Sequence, residues 1–384
     1  MAVKGFERVL VVGASADSSI LDVEVGWLES LNTAGYQVYN YSLRNRLKMW
    51  GEILGVLKDG RDCDNCSHPV VPPAPSMALV DQVTIMQAAS DCIIHEALRF
   101  NAAWVLIISG CSLHPNVAAL LQKVGIPVVT VVTEAPYNDD DMVDLTKVST
   151  LVLVNDLSSM EHFKQVTAEL GGTAEYMPTA FRAGLHTPGA PDLSKSSDVF
   201  FVGTGFDERA RLFSQTDWTG IDFKLAGFWP ASAGDEVIPN AIEEKLGQVR
   251  IGHEPSLQKY LVAGLLDNEE VVEWYRSAKI VLSVHRDDGR AWSFGPRVYE
   301  AAAVGAFQVC DDSRPEVRSV FGHSIPTFHA GDPEHLAFTL RYWLARPAER
   351  AAHAAQARRL VQVHSYDSRL EQLESSINRL RGSA

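Results

Sequence analysis

The segment from residue 283 to residue 306 combines charged side chains with turn residues that could direct them at one ligand. Its candidate residues are His285, Arg286, Ser293, Phe294, Gly295, Arg297 and Glu300. The Gly295-Pro296 pair predicts a helix start, and Gly305 predicts the helix end. A carboxylate near a helix N-terminus can accept two vicinal sugar hydroxyls, and an arginine beside the helix dipole favours a diphosphate. A capped helix whose Glu300 only complements the dipole would explain the same residues.

The run Gly203-Thr-Gly205 is a second candidate for phosphate binding. It follows a predicted strand and precedes a segment that carries Arg209 and Arg211. Small residues at a helix start let backbone N–H groups approach phosphate oxygens, and an arginine adds a bidentate clamp. An ordinary tight turn with solvated arginines explains these residues equally well, because a Gly-x-Gly pattern alone is weak evidence.

Three loops in the first half follow predicted strands, where ligands of open α/β sheets bind. Their candidate residues are Ser15 and Asp17, then Ser109, Gly110 and His114, then Glu134 and Tyr137. The first loop is not Gly-x-Gly-x-x-Gly, and the second predicted strand supplies no acid for a ribose. These absences argue against a nicotinamide-dependent dehydrogenase.

Short β-branched runs alternate with segments of helical period throughout the chain, which predicts parallel sheets in an α/β fold. Strands are predicted in the first half at residues 8–13, 37–41, 104–109, 127–132 and 150–154, and in the second at 198–203, 222–226, 279–284 and 306–310. Helices are predicted at 20–34, about 78–100 and 116–124, and the stripe from Leu370 to Leu380 predicts an amphipathic one near the end. Asp139 to Asp141 are interpreted as a solvated acidic loop, and a metal-assisted role for them stays open.

The composition limits which classes of partner and location are expected. The chain has 384 residues and a formal net charge of -14, so nucleic-acid binding would need a local basic patch. No apolar run reaches the roughly 18 to 20 residues of a spanning helix, so no membrane insertion is expected. Five cysteines, an odd number, favour reduced thiols and a cytoplasmic location.

Cys63, Cys66 and His68 lie in a Pro-rich segment that we interpret as a surface loop over 58–76. A Cys-x-x-Cys pair can begin a zinc site, but no second pair follows, so free thiols are preferred. No Asp-x-Asp triplet stands in the usual setting at a strand end. No catalytic metal and no tightly bound cofactor are therefore predicted.

The segment from Lys279 to Glu316 resembles the donor-binding region of group 1 glycosyltransferases, and most closely their CgeB-like, spore-maturation branch. The specific part is Ser293-Phe-Gly-Pro-Arg-Val-Tyr-Glu-Ala-Ala-Ala-Val-Gly-Ala306. Residues 107–110, 133–137 and 198–205 are also similar to that branch, so the resemblance includes segments in both halves of the chain.

The resemblance implies a GT-B fold, in which two Rossmann-like domains face each other across a cleft and the C-terminal helix crosses back to the first domain. The expected domains are residues 1–181 for the acceptor, a linker at 182–197, 198–360 for the nucleotide sugar, and a last helix within 361–384. Glu300 matches the second Glu of the family's Glu-x7-Glu motif and would hold the donor ribose. Trp292 stands at the position of the first Glu, which puts the usual retaining donor geometry in doubt.

The expected activity is transfer of a sugar, hexosyl or pentosyl, from a nucleotide-diphosphate sugar, with UDP or GDP as the carrier, to an acceptor hydroxyl. Arg209 and Arg297 are expected at the leaving diphosphate with His285 or Arg286 in support, and Glu134 and His114 on the acceptor side. A small molecule, glycan or protein is the preferred acceptor, while a hydroxymethylpyrimidine in phage DNA stays an alternative. A nucleotide-sugar epimerase and a catalytically silent nucleotide-sugar-binding protein also stay open.

Overall fold

The structure is a computed structural model that describes residues 7–14, 20–59, 82–232, 251–286 and 289–382. The chain folds into two compact units, one of residues 1–155 with 159–177 and one of 156–158 with 178–384. The predicted linker at 182–197 and the residues after 361 fall in the second unit. Each unit is built around one six-stranded sheet.

The first unit has strands in the order β2-β1-β3-β4-β5-β6, all parallel. The strands are β1 (Arg8–Val12), β2 (Gln37–Tyr41), β3 (Trp104–Ile108), β4 (Val128–Val132), β5 (Leu151–Val154) and β6 (Thr173–Tyr176). The helices are α1 (Ile20–Thr33), α2 (Leu43–Asp59), α3 (Gln82–Phe100), α4 (Asn116–Lys123), α5 (Asp139–Lys147) and α6 (Met160–Ala168). Every residue of β3, β4 and β5 is buried, as expected for Val- and Ile-rich strands covered by helices on both faces.

The second unit has strands in the order β12-β11-β10-β7-β8-β9, again all parallel. The strands are β7 (Ser197–Val202), β8 (Phe223–Ala226), β9 (Leu261–Ala263), β10 (Ala278–Ser283), β11 (Gln308–Asp311) and β12 (Thr327–Phe328). The helices are α7 (Asp207–Gln215), α8 (Asn268–Ser277), α9 (Pro296–Val304), α10 (Pro315–Phe321), α11 (Pro333–Leu344), α12 (Pro347–Val361) and α13 (Tyr366–Gly382).

The α/β prediction is confirmed, and each predicted strand is present within two residues at either end. The acidic run at 139–141 is not a loop. It forms the first turn of α5, where acidic side chains complement the helix dipole. Helix α2 continues to Asp59, and the remaining part of the predicted surface loop, with Cys63, Cys66 and His68, lies outside the described residues. Within the described ranges, no helix is both long enough and apolar enough to cross a bilayer.

Candidate functional site

The strand order of the second unit reverses between β7 and β10, which lie side by side although they are far apart in sequence. Ligands of doubly wound sheets bind at this reversal, outside the carboxyl ends of the strands. Gly203 and Gly205 directly follow β7, and His285 and Arg286 follow β10. The topology therefore brings the two predicted donor-binding segments to one edge of one sheet.

Two arginines converge on a single aromatic ring at this edge. The guanidinium carbon of Arg209 lies 4.9 Å from the ring centroid of Phe206, and that of Arg286 lies 5.5 Å from the same centroid. Arg209 also donates from Nη1 to the Thr204 carbonyl at 3.0 Å. Stacking on an aromatic face orients a guanidinium while leaving its edge open to oxygen ligands. The pair forms a fixed positive site at the switch point.

The glycines of this loop have a packing role. The Gly203 N–H donates to the Ala226 carbonyl at 3.0 Å, and the Gly205 N–H donates to the Phe228 carbonyl at 2.8 Å. A Cβ at Gly205 would lie only 2.5 Å from the Trp229 ring, so the residue must lack a side chain. Because both N–H groups are engaged, the positive potential here comes from the arginine side chains.

His285 is held by Asp311, the last residue of β11. The Asp311 carboxylate oxygen Oδ2 accepts the His285 backbone N–H at 2.6 Å and lies 3.0 Å from the imidazole Nδ1. Asp311 is 1% exposed. Burial alone would raise the pKa of this carboxyl, but the charge and hydrogen bonds of His285 and the hydrogen bond from the Ser313 hydroxyl together hold it well below its ordinary value. Asp311 thus stays ionised and fixes the imidazole beside Arg286.

Helix α9 delivers Arg297 and Glu300 to the same edge. Gly295 is its N-cap and Pro296 its first residue, while Gly305 ends it with a φ of 87°, in the left-handed region that favours glycine. Arg297 is half-buried in the first turn, and Glu300 is buried. The predicted helix start and stop are both confirmed.

The loop before α9 is fastened by two carboxylates that sequence reasoning missed. Asp156 accepts the backbone N–H groups of Trp292 at 3.2 Å and Ser293 at 2.9 Å. Glu316 accepts the Phe294 N–H at 2.9 Å and the Tyr299 hydroxyl at 3.0 Å. Three consecutive N–H groups are therefore bound to buried acids.

The Phe294 ring is part of the apolar packing below this loop. Its centroid lies 4.5 Å from that of Tyr299 and 5.9 Å from that of Phe321. Ser293 and Phe294, both predicted to contact the donor, are buried. The sequence did not indicate that Asp156 binds this loop, because Asp156 is separated from it by more than a hundred residues and no local pattern identifies it.

The predicted acceptor-side residues lie in the first unit, at the carboxyl ends of its strands. The strand order of this sheet reverses between β1 and β3. Ser109 and Gly110 follow β3 and have φ values of 65° and 78°. A Cβ at Gly110 would lie 2.4 Å from Leu145 Cδ2, which accounts for the glycine. Ser15 and Asp17 lie outside the described residues.

His114 and Glu134 are both half-buried. Nδ1 of His114 accepts the backbone N–H of Asn116 at 3.4 Å, so the neutral imidazole carries its proton on Nε2. Glu134 begins a turn in which its carbonyl accepts the Tyr137 N–H at 2.7 Å. The turn places Tyr137 next to Glu134 at the end of β4.

Glu24, on α1, is another buried acid that the sequence did not single out. Its carboxylate accepts the Ala14 N–H at 2.9 Å, and a Cβ at Gly13 would lie 2.6 Å from its oxygens. This contact explains why a glycine follows β1. It also places a negative charge at the switch point of the first sheet.

Known glycosyltransferases share this architecture. Residues 209–375 match the family model described as glycosyl transferase-like. Sucrose-phosphate synthase from Thermosynechococcus elongatus superposes with a TM-score of 0.64 at 12% identity, over 98% of this chain and 100% of that one. The architecture is GT-B. The Anabaena protein HepE in complex with UDP matches with a TM-score of 0.58 at 12% identity, over 97% and 100% of the two chains.

A third GT-B structure, an alpha-glucosyltransferase in complex with UDP and a 13-mer DNA containing a HMU base, has a TM-score of 0.56 at 12% identity. It covers 96% of this chain and 98% of its own. A comparison with curated proteins gives no match. At these identities the superpositions establish the fold.

Proposed function

We propose that this GT-B protein is a glycosyltransferase that moves a sugar from a nucleotide-diphosphate sugar to an acceptor hydroxyl. The observation that carries the proposal is the pair of guanidinium groups, Arg209 and Arg286, over Phe206 at the switch point of the second sheet. Two oriented positive charges suit the two phosphates of a nucleoside diphosphate. The glycosyl transferase-like match begins at Arg209 and includes Arg286 and α9.

The donor would lie along the edge formed by the loops after β7 and β10 and the start of α9. Arg209 and Arg286 would bind the diphosphate, with Arg297 and the helix dipole beside them. Glu300 would accept the ribose hydroxyls. Since Glu300 is only 3% exposed, that contact requires neighbouring side chains to move aside when the ribose binds.

In the transfer, the bond between the sugar C1 and the β-phosphate oxygen breaks while the acceptor oxygen bonds to C1. The electron pair passes to the diphosphate, whose growing negative charge the arginines would stabilise. Glu134 is the proposed base for the acceptor proton in an inverting route. His114 would orient the acceptor by donating from Nε2, because its Nδ1 is already an acceptor.

The finer features of the proposal concern donor and acceptor. HepE structures with UDP and with UDP-glucose support a UDP-sugar as the donor to test first, with a GDP-sugar second. Because the motif at residues 293–306 resembles the CgeB-like branch of group 1, we propose that the chain belongs to that branch. Cys92 and Cys310 are free thiols, which supports a reducing cytoplasm. A small molecule, glycan or protein is the proposed acceptor.

A thermal-shift screen with UDP-, GDP-, ADP- and dTDP-sugars tests the proposal, since a ligand that binds only the folded state raises the melting temperature. We expect a shift with one nucleotide family, lost in Glu300→Gln and kept in Glu161→Gln, an exposed matched control on α6. No shift with any donor would favour a protein that binds no nucleotide sugar. Conversion of the donor to an isomer without acceptor would indicate an epimerase. Donor binding without turnover across acceptor screens would indicate a catalytically silent protein.

A hydroxymethylpyrimidine base in DNA is a second candidate acceptor, because the third superposed structure holds UDP and DNA with a HMU base. The net charge of -14 opposes DNA binding over the molecule as a whole. Binding of duplex DNA containing hydroxymethyluracil, with a steep salt dependence, would favour this acceptor.

A further inference from the structure

A groove in the second unit lies at the amino ends of the sheet's strands, whereas the candidate donor site lies at their carboxyl ends. It has a volume of about 830 Å³ and runs along α12, past the start of β10 and the end of α9. Its charged lining residues are Arg276, Lys279, Arg350, Arg358 and Arg359. The strands are parallel, so their amino ends meet at this edge and their carboxyl ends meet at the donor edge. Six residues of β10 separate the two edges by about 20 Å.

The groove carries an excess of positive charge. Lys279 pairs with Asp198 at 2.7 Å, and the charge of Asp198 also attracts Arg350. Among the residues that the structure describes, none of the four lining arginines lies within ion-pair distance of an acid. Four guanidinium groups without ion pairs in one cavity are unexpected in a chain whose net charge is -14. Like charges held together repel each other, so their grouping calls for an anion.

Two of these arginines are held in place by backbone carbonyls. Arg276 donates from Nε and Nη2 to the Thr187 carbonyl at 3.0 and 2.7 Å. Arg350 donates from Nη1 to the carbonyls of Trp343 at 2.6 Å and Leu344 at 2.8 Å, at the end of α11. Each keeps further N–H donors for a ligand, because a guanidinium has five. The side chains are thus oriented before any ligand arrives.

The floor between the cations is small and apolar. It is formed by Gly305, Ala351 and Ala354, with Phe307 just before β11. Arg358 lies against this floor, since a Cβ at Gly305 would be 3.5 Å from its Cδ. A cavity of this volume, with apolar walls and a few convergent polar groups, is of the size that takes small molecules.

We infer that this groove binds a small molecule carrying two or three phosphate groups, at a site separate from the donor site. Phosphate is favoured over carboxylate by its charge density. Each phosphate monoester carries nearly two negative charges, so two of them already balance the charge of four arginines. The planar guanidinium fork matches phosphate oxygens in pairs. The apolar floor receives the uncharged part of the ligand.

Isothermal titration with inorganic tripolyphosphate tests the inference on the full chain. The test variant is Arg358→Gln/Arg359→Gln, whose two exposed side chains make no long-range hydrogen bonds or ion pairs among the described residues. The control is Lys123→Gln/Lys164→Gln, which removes the same charge from exposed positions of the first unit. The second comparison is Arg209→Gln/Arg286→Gln, which alters the candidate donor site.

We expect tripolyphosphate to bind the wild-type chain, and its dissociation constant to rise at least about tenfold in the groove variant, since charge-assisted hydrogen bonds are the strong ones. The lysine control should keep wild-type affinity, and part of the binding should survive in the donor-site variant. Equal weakening in groove variant and lysine control would overturn the inference, as would loss of all binding in the donor-site variant alone. The inference would also be overturned if the chain bound vesicles with phosphorylated headgroups but did not bind soluble tripolyphosphate. Because the readout is binding at the groove, it does not depend on transferase activity.

Discussion

Glu316 provides a sharp test of how the donor-site loop is held. Its carboxylate, 3% exposed, accepts the Phe294 N–H at 2.9 Å and the Tyr299 hydroxyl at 3.0 Å. The two donors bind separate carboxylate oxygens, and in Glu316→Gln an NH₂ group replaces one of these oxygens. That NH₂ group faces either the Phe294 N–H, a donor that then has no acceptor, or the Tyr299 hydroxyl, which must turn its own proton away. A buried donor without an acceptor costs roughly 1 to 3 kcal/mol, and the remaining bond loses its charge assistance. We therefore expect the free energy of unfolding of the second unit to fall by about 3 kcal/mol.

The assay is urea unfolding of the full chain, with hydrogen exchange of the 290–300 segment as a local readout. Tyr299→Phe should cost about 1 kcal/mol alone and much less in the Glu316→Gln background, because the two residues share one hydrogen bond. Glu349→Gln, an exposed residue paired with Arg346, is the control and should change stability by less than about 0.5 kcal/mol. If Glu316→Gln matched this control and the Phe294 amide stayed protected, the loop would not depend on the clamp.

Three further outcomes follow from single contacts. Burial, together with the nearby Arg369 charge, lowers the pKa of His364 to about 4, so the unfolded state binds the proton more readily than the folded state. Because the side chain is only half-buried and solvent screens it, the free energy of unfolding should fall by about 1 kcal/mol as the pH drops from 6.5 to 4. His364→Gln should flatten that slope in urea titrations. Gly205→Ala would place a Cβ 2.5 Å from the Trp229 ring and should lower the free energy of unfolding by about 1 to 3 kcal/mol, whereas Gly51→Ala, with open space around it, should not. Gly305→Ala, at a φ of 87°, should cost about 1 kcal/mol in the same denaturation assay, and an unchanged midpoint would contradict the assigned helix end.

The strands and the α9 boundaries were predictable because their signals are local. Buried strands such as β3 and β4 are unbroken Val- and Ile-rich runs, and the Gly295-Pro296 and Gly305 positions mark a helix by backbone preference alone. Several helices, α2 and α6 among them, were missed, and so were the strands β6, β9 and β12, which have two to four residues each. Strands that short carry no period, and they form because the neighbouring strand supplies hydrogen bonds.

The candidate site was predictable by residue type but not by partner. Following each strand to its carboxyl end identified His285 and Arg286, yet nothing near them in sequence indicates Asp311 or the shared Phe206 ring. The acids that fasten the 292–294 loop, Asp156 and Glu316, were missed for the same reason. Such contacts join residues that are distant in sequence, so they depend on the tertiary structure. A single sequence gives the residue types but not these contacts.

The most direct test of the proposed donor site is titration of UDP into the wild-type chain and into Arg209→Gln, Arg286→Gln and the double variant. We expect that UDP binds and that each substitution raises the dissociation constant by about tenfold, since a charge-assisted bond to phosphate is worth about 1.5 to 3 kcal/mol. Arg318→Gln, on the exposed face of α10, should bind UDP as the wild type does. If wild type and double variant bound UDP equally, or if no nucleoside diphosphate bound the wild type, the switch-point arginines would not be a donor site.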